Sequence, residues 1–182
     1  MMMEDLSLHI LDIAENSVNA GARNIRILIE EEVQLDCLTI EIEDDGKGMS
    51  AEAAERASDP FFTTRKTRRI GMGLPLLKEA AEMAKGKLEI RSAPNMGTTI
   101  RATFELSNID RKPLGNMAET ITALLATENQ VNILYRHSRS GKIVTFDSKH
   151  VESQLGDILL NSIEALCLVR TYLEQEESSL AQ

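Results

Sequence analysis

Two short stretches alternate so strictly that they leave little choice of conformation. Ile25, Ile27 and Ile29 are separated by polar residues, and so are Leu38, Ile40 and Ile42. A period of two places each set on one face of a strand. The polar segment from Glu31 to Asp36 suits a hairpin connection, so the two strands are expected to be antiparallel. Ahead of them, residues 6–20 keep a helical period. Leu8, Ile10, Leu11, Ala14 and Val18 cluster on one broad face, with Asp12, Glu15, Asn16 and Asn19 largely off it. Gly21 is a good residue to end this helix.

Asp44-Asp45-Gly46-Lys47-Gly48 reads as a turn, and Ser50 can cap a short helix over 51–57. Residues 58–70 have no clean period and carry Arg65, Lys66, Arg68 and Arg69. Gly71-Met72-Gly73-Leu74 then opens a helix to about Lys85, with Pro75 tolerated in its first turn. Strands are expected at 87–92 and 98–106, joined by the turn Pro94-Asn95-Met96-Gly97. The composition changes at 108–115, which divides the chain into 1–108 and 109–182. The second part is expected to hold a helix over 116–127, a hairpin around Ser140-Gly141 and a final helical region that frays from Gln175 to Gln182.

The 182 residues are 42% hydrophobic, enough for a core, and carry a net charge of -9. That acidic balance argues against a broad nucleic-acid surface, which needs an excess of Lys and Arg. No apolar run approaches the ~20 residues needed to span a bilayer. The best, Ile158 to Val169, is interrupted by Asn161, Ser162 and Glu164. The first residues include Glu4 and Asp5 and no basic stretch, unlike a signal peptide. Cys37 and Cys167 lie in apolar runs and read as buried thiols in a reducing cytoplasm.

Four local patterns can carry chemistry. Asp12 and Asn16 stand four apart on one helix face, where an amide oxygen can ligate Mg²⁺ and a carboxylate can orient a nucleophile; a solvated polar face has the same pattern. Asp44 ends an apolar strand before Gly46 and Gly48, which suits an acceptor for an exocyclic amine but also an ordinary acidic turn. Gly71 and Gly73 open a helix, whose N–H groups can receive phosphate oxygens or simply begin a helix. Gly97-Thr98-Thr99 puts a hydroxyl at the start of a strand, either for a base or water or as plain β-branched sequence.

In this order and spacing the four patterns resemble the GHKL ATP-binding superfamily, whose members include gyrase, a heat-shock chaperone, sensor histidine kinases and MutL. The resemblance covers about residues 4–106. Residues 11–22 look like its N-box, closest to the MutL version. Asp44 to Met49 looks like the G1 box, Asp59 to Arg65 like the F-box of histidine kinases, and Gly71 to Leu74 like the G2 box. The resemblance implies an α/β fold, a two-layer sandwich of helices on a mixed, mostly antiparallel sheet, here with a small C-terminal α/β extension. It implies ATP and Mg²⁺ as cofactors. Asp44 would take the adenine amino group with support from Thr98, and Gly46 and Gly48 would let the backbone approach the base. Asn16 would hold the ion and Asp12 would be the catalytic carboxylate. Gly71, Gly73 and Leu74 would line the phosphates, and Thr64, Arg65 and Lys66 would belong to a basic lid.

Two departures shape the expected activity. Hydrolytic members carry Glu where Asp12 stands, and Asp is one methylene shorter, so slow hydrolysis is expected. Sensor histidine kinases place a phosphoacceptor His in a helical hairpin before the N-box. Here His9 lies within that helix, and His137 and His150 lack the acceptor pattern, so all three read as structural or surface residues. The expectation is a cytoplasmic, stand-alone phosphotransferase acting on a partner protein in trans, as bacterial anti-sigma-factor kinases do, with a homodimer left open. The alternatives are a non-catalytic ATP-dependent switch and, behind it, a MutL-like ATPase. Neither nucleic acid nor membrane is expected as a partner.

Overall fold

The computed structural model describes residues 4–59, 73–127 and 131–180. Its first helix, α1, spans Leu6–Asn19. The Asp5 side chain caps it by accepting from the Leu8 N–H, 3.1 Å away. Two further first-turn donors reach outside the helix: the N–H groups of Leu6 and Ser7 donate to Pro113 O and Leu114 O at 2.9 and 2.7 Å. These groups have no intrahelical partner, so the loop that follows the fourth strand completes the helix start. Leu6, Ile10, Ile13, Ala14 and Ser17 form the buried face.

The expected hairpin is present. Strand β1 (Asn24–Glu32) pairs antiparallel with β2 (Cys37–Asp44), with Ile27 opposite Ile42 and Ile29 opposite Ile40. A short 3-10 turn, Val33–Leu35, connects them. The short helix α2 (Ala51–Arg56) starts at Ser50, whose side chain accepts from the Ala53 N–H. Helix α3 spans Gly73–Met83 and leads into β3 (Lys87–Ser92) and β4 (Thr98–Glu105). β4 pairs antiparallel with both β2 and β3.

The second part of the chain contributes α4 (Met117–Leu125), β5 (Asn132–Arg139), β6 (Lys142–Asp147), α5 (Ser148–Leu155) and α6 (Ile163–Leu180). The turn of the last hairpin is Ser140-Gly141, both with positive φ, as a tight two-residue connection requires. β5 pairs parallel with β1 and antiparallel with β6. The result is one mixed sheet in the order β3-β4-β2-β1-β5-β6. All its pairings but that of β1 with β5 are antiparallel. The extension therefore widens the sheet of the first part, and buried residues from both parts share one apolar cluster.

Helices α1, α3, α4 and α6 cover one face of the sheet. Ile25, Ile27, Ile29, Leu38, Ile40, Ile42, Ile133 and Tyr135 point into this layer and are at most 1% exposed. Burying each such side chain contributes roughly 1.5–3 kcal/mol, and shortening one to Ala would cost about 2–5 kcal/mol. On the other face Leu134 and Ile143 are exposed, and Arg26 pairs with Glu43 at 3.0 Å.

Two expectations about the C-terminal part are corrected. The last helix does not fray at Gln175. It continues to Leu180, which is buried, because Glu177 is held in a polar cluster. Glu177 accepts from Tyr135 Oη at 2.6 Å and lies 2.8 Å from His137 Nδ1, while Glu31 lies 3.0 Å from His137 Nε2. Burial alone would pull His137 down, but its hydrogen bonds to Glu177 and Glu31 outweigh that and push its pKa up to about 9. His137 is thus structural, a cation clamped between two carboxylates. Nor are the thiols both buried: Cys37 is half-buried and Cys167 is exposed, because its helix turns Ala165, Val169 and Leu173 inward instead.

Candidate functional site

The candidate residues of the first part converge at one end of the sheet, between α1 and the start of α3. Asp44 is the last residue of β2 and only 9% exposed. Its side chain points to the helix layer, in step with Ile40 and Ile42. Two donors fix it: Ser17 Oγ of α1 donates to Oδ2 at 2.7 Å, and the Gly46 N–H donates to Oδ1 at 2.9 Å. An ionised carboxylate has four acceptor positions, so two donors fix its orientation and leave it acceptor capacity.

Thr98, the first residue of β4, lies directly across the ladder from Asp44. Ser92 orients it. The Ser92 hydroxyl donates to Gly97 O at 2.8 Å and accepts from the Met49 N–H at 2.8 Å. Its one hydrogen is then used, so in the 2.9 Å contact between the two hydroxyls Thr98 is the donor. The Thr98 oxygen thereby turns acceptor, beside a second acceptor in Asp44. Two adjacent acceptors suit a group with two hydrogens, an amine or a water.

Glycine is required around Asp44. Gly97 has φ +76, and a Cβ there would collide with the Asp44 carbonyl. Gly48 has φ +62, and a Cβ there would collide with the Ala93 carbonyl. Gly46 meets the Asp44 carboxylate at 3.0 Å from an added Cβ. The turn after β2 and the turn before β4 thus touch backbone to backbone, which no side chain at 48 or 97 would allow.

On α1, Asn16 Nδ2 donates to Asp12 Oδ2 at 3.3 Å, joining the two residues that the four-residue spacing brings together. Gly73 opens α3 directly against them: a Cβ at Gly73 would collide with the Asp12 carboxylate. Leu74, next along α3, packs partly buried on the core. Thr64, Arg65, Lys66 and Gly71 lie outside the described residues. Of the site residues expected from the sequence, Asp12, Asn16, Asp44, Gly46, Gly48, Gly73, Leu74 and Thr98 are therefore placed, around α1 and the two facing turns.

Ser17 and Ser92 were not singled out in the sequence. The signal for Ser17 was a polar residue on the apolar stripe, four after Ile13 and on the buried face of α1. The signal for Ser92 was weaker, a hydroxyl at the end of β3 facing Thr98 across the turn. A separate groove of about 320 Å³ is lined by Asn24, Arg26, Glu43, Met96, Asn132 and Lys149. It touches Asp44 but none of Asp12, Asn16, Gly73 or Thr98. Among the described residues no three or more His, Cys, Asp or Glu side chains gather to hold a metal, and no helix is long and apolar enough to cross a membrane.

Comparison with known proteins gives the same part of the chain a family. Residues 3–108 match the histidine kinase-, DNA gyrase B-, and HSP90-like ATPases. The sensor protein kinase FleS of Pseudomonas aeruginosa is 34% identical over 110 residues, which cover 60% of this chain and 27% of FleS. The sensor histidine kinase YxdK of Bacillus subtilis is 29% identical over 104 residues, covering 54% of this chain and 32% of YxdK. The chain thus spans under a third of the length of these relatives. Among solved structures, the N-terminal domain of a DNA repair protein superposes with a TM-score of 0.56 at 16% identity, over 81% of this chain and 53% of that one. That likeness reaches past residue 108, in keeping with a sheet that does so too. The motifs, the paired carboxylate and amide on α1 and the glycine turns around Asp44 agree with the matched segment, and the chain belongs to the histidine kinase-, DNA gyrase B- and HSP90-like ATPase family.

Proposed function

We propose that the chain binds Mg²⁺-ATP between α1 and α3 and transfers the γ-phosphoryl group to a partner protein in signal transduction. The observation that carries the nucleotide reading is the buried Asp44 carboxylate, oriented by Ser17 and Gly46 and facing an acceptor oxygen on Thr98. That pair fits the exocyclic amine of adenine and would not accept the carbonyl that guanine carries at the same place. Gly73 supports a phosphate position. It brings the start of α3 against α1 with no side chain between, so backbone N–H groups can meet phosphate oxygens.

Asn16 fits a Mg²⁺ ligand. Its amide nitrogen donates to Asp12, so its oxygen is the atom that would meet a hard cation. Bound there, the ion would neutralise charge on the phosphates. Asp12 would orient the incoming nucleophile, and the helix N–H groups would stabilise charge on the transferred group. The choice of phosphotransfer over hydrolysis rests on the length of Asp12. Its carboxylate lies between Asn16 and the Gly73 backbone, and an incoming protein side chain can be placed by docking where a water would need a longer base.

The test is incubation of the chain with γ-labelled ATP and proteins recovered with it by pulldown in the presence of ATP. Label on a recovered protein, appearing faster than free phosphate is released, is the expected result. Rapid release of phosphate with no labelled protein would make the chain a hydrolase. ATP-dependent recovery of a partner without label would make it a switch.

A further inference from the structure

The six-stranded sheet ends in β3 on one side and in β6 on the other. An edge strand presents a row of unpaired N–H and C=O groups, which a chain either blunts or uses. β3 is blunted. Lys87, Glu89 and Arg91 alternate along one face of it, with Glu89 ion-paired to Lys87 at 2.5 Å and to Arg91 at 3.8 Å. β6 is not. Between Lys142 and Asp147 it carries Ile143, Val144, Thr145 and Phe146, with no charge and no proline.

The turn before β6 settles which of its backbone groups face outward. Ser140-Gly141 is a two-residue connection, so the flanking residues, Arg139 and Lys142, exchange both hydrogen bonds. Such pairs alternate with open ones along an antiparallel ladder. Lys142, Val144 and Phe146 therefore turn their N–H and C=O groups to β5, while Ile143 and Thr145 turn theirs to the outside. Helix α6 runs beside this edge. Tyr172 Oη donates to Thr145 O at 3.4 Å, a long bond that leaves the carbonyl a second lone pair, and Lys142 Nζ donates to Ser179 O at 2.8 Å. The inner side of α6 packs through Ala165, Val169 and Leu173. Leu168 and Tyr172, four apart on its outer side, are 66% and 45% exposed, and Ile143 on the open face of the sheet is 52% exposed. The unpaired ladder is thus flanked by apolar side chains in both layers.

We propose that β6 and α6 form a docking surface for a second copy of this chain, with β6 pairing antiparallel to β6 of the copy and α6 packing beside its α6, so that one sheet runs through both. A two-fold contact demands a self-complementary surface. Opposite residues of paired strands share a face, which allows an axis at Val144 or at Thr145. In either register Lys142 of one copy stands one residue from Asp147 of the other, so opposite charges meet at both ends of the pairing. A strip as long as the 18 residues of α6, about 27 Å, and two layers deep, about 20 Å, amounts to roughly 1,000 Å² over both copies. That is the lower limit for a specific interface, so the dimer dissociates on dilution. Both elements lie outside residues 3–108, the segment that matches the family.

Sedimentation equilibrium of the full chain from about 1 to 500 μM, a range that reads a micromolar Kd, tests it with Thr145→Pro and Leu168→Glu. The wild type should pass from one chain to two as the concentration rises. Thr145→Pro removes an N–H that β5 does not use, which an edge strand tolerates, and should leave the chain monomeric throughout. Leu168→Glu should raise Kd about tenfold or more, because it sets a carboxylate from each copy beside the axis. Far-UV circular dichroism at low concentration shows whether each variant is folded, and should Thr145→Pro fail there, Leu168→Glu decides alone. A wild type that stays monomeric at every concentration, or a dimer that the folded variants do not weaken, would overturn the proposal.

Discussion

Ser17 donates its hydroxyl hydrogen to Asp44 across 2.7 Å, in a buried contact that ties the middle of α1 to the end of β2. The bond joins the helix that carries Asp12 and Asn16 to the strand that ends in Asp44. Any tilt of α1 would therefore turn the Asp44 carboxylate as well.

Removing the acceptor should cost more than removing its support. Asp44→Asn replaces an acceptor-only group by one that is half donor. ATP affinity is expected to fall by ~1.5–3 kcal/mol, the range for a hydrogen bond to a charged group. Ser17→Ala should cost about 1 kcal/mol and reduce the preference for ATP over GTP. Calorimetry with both nucleotides reads the two effects; an unchanged preference in both variants would take the base away from Asp44.

The metal prediction isolates Asn16. Asn16→Ala should weaken nucleotide binding in Mg²⁺ and change it far less in EDTA. If the loss is the same in both, the substitution has damaged α1 and the amide is not a ligand.

Asp12→Glu tests reach. Restoring the methylene should raise ATP turnover about tenfold, equivalent to ~1.4 kcal/mol of barrier. The longer carboxylate has to pass the Gly73 backbone, against which Asp12 already lies. A steady-state phosphate-release assay decides the matter. Brisk turnover by the wild type, with no gain in the variant, would remove the argument for a kinase over a hydrolase.

Stability should depend on pH through the cluster at the opposite end of the strands. His137 is raised from 6.5 to about 9, so its contribution is complete below about pH 6.5 and is lost as pH rises through 9. Its full size is at most about 3 kcal/mol. Hydrogen bonding from His137 leads the lowering of Glu31, partly offset by burial, so that contribution is present above pH 4.5 and lost as pH falls below it. Denaturant melts from pH 4 to 10 should show a maximum between these limits. In His137→Gln the decline between about pH 6.5 and 9 should flatten; an unchanged slope would assign it to other groups.

Much of the fold was legible because its contacts are local. The alternation of Ile25, Ile27 and Ile29 with that of Leu38, Ile40 and Ile42 fixed both the hairpin and the face it buries. Asp12 and Asn16 were legible for the same reason, since a helix repeats within four residues. The parallel pairing of Ile25 with Ile133 was not, because nothing in either strand encodes its partner more than a hundred residues away. The apparent end of the chain misled for a related reason. Gln175 to Gln182 is polar and looks frayed, but Glu177 has its partners, Tyr135 and His137, on β5, far off in sequence. Ser17 was passed over because one hydroxyl on an apolar stripe is ordinary until its partner is known.

The closing of α1 by Pro113 and Leu114 has a consequence for the order in which the molecule assembles. α1 precedes every strand in the chain, yet its first turn gains its outside acceptors only when the connector is in place. During synthesis the helix waits with Leu6 and Ser7 facing water while four strands are made. Long-range contacts of this kind form late, after the local hairpins. The helix that carries Asp12 and Asn16 and the loop that follows β4 then settle together, so a nascent chain has no finished candidate site until that loop is in place.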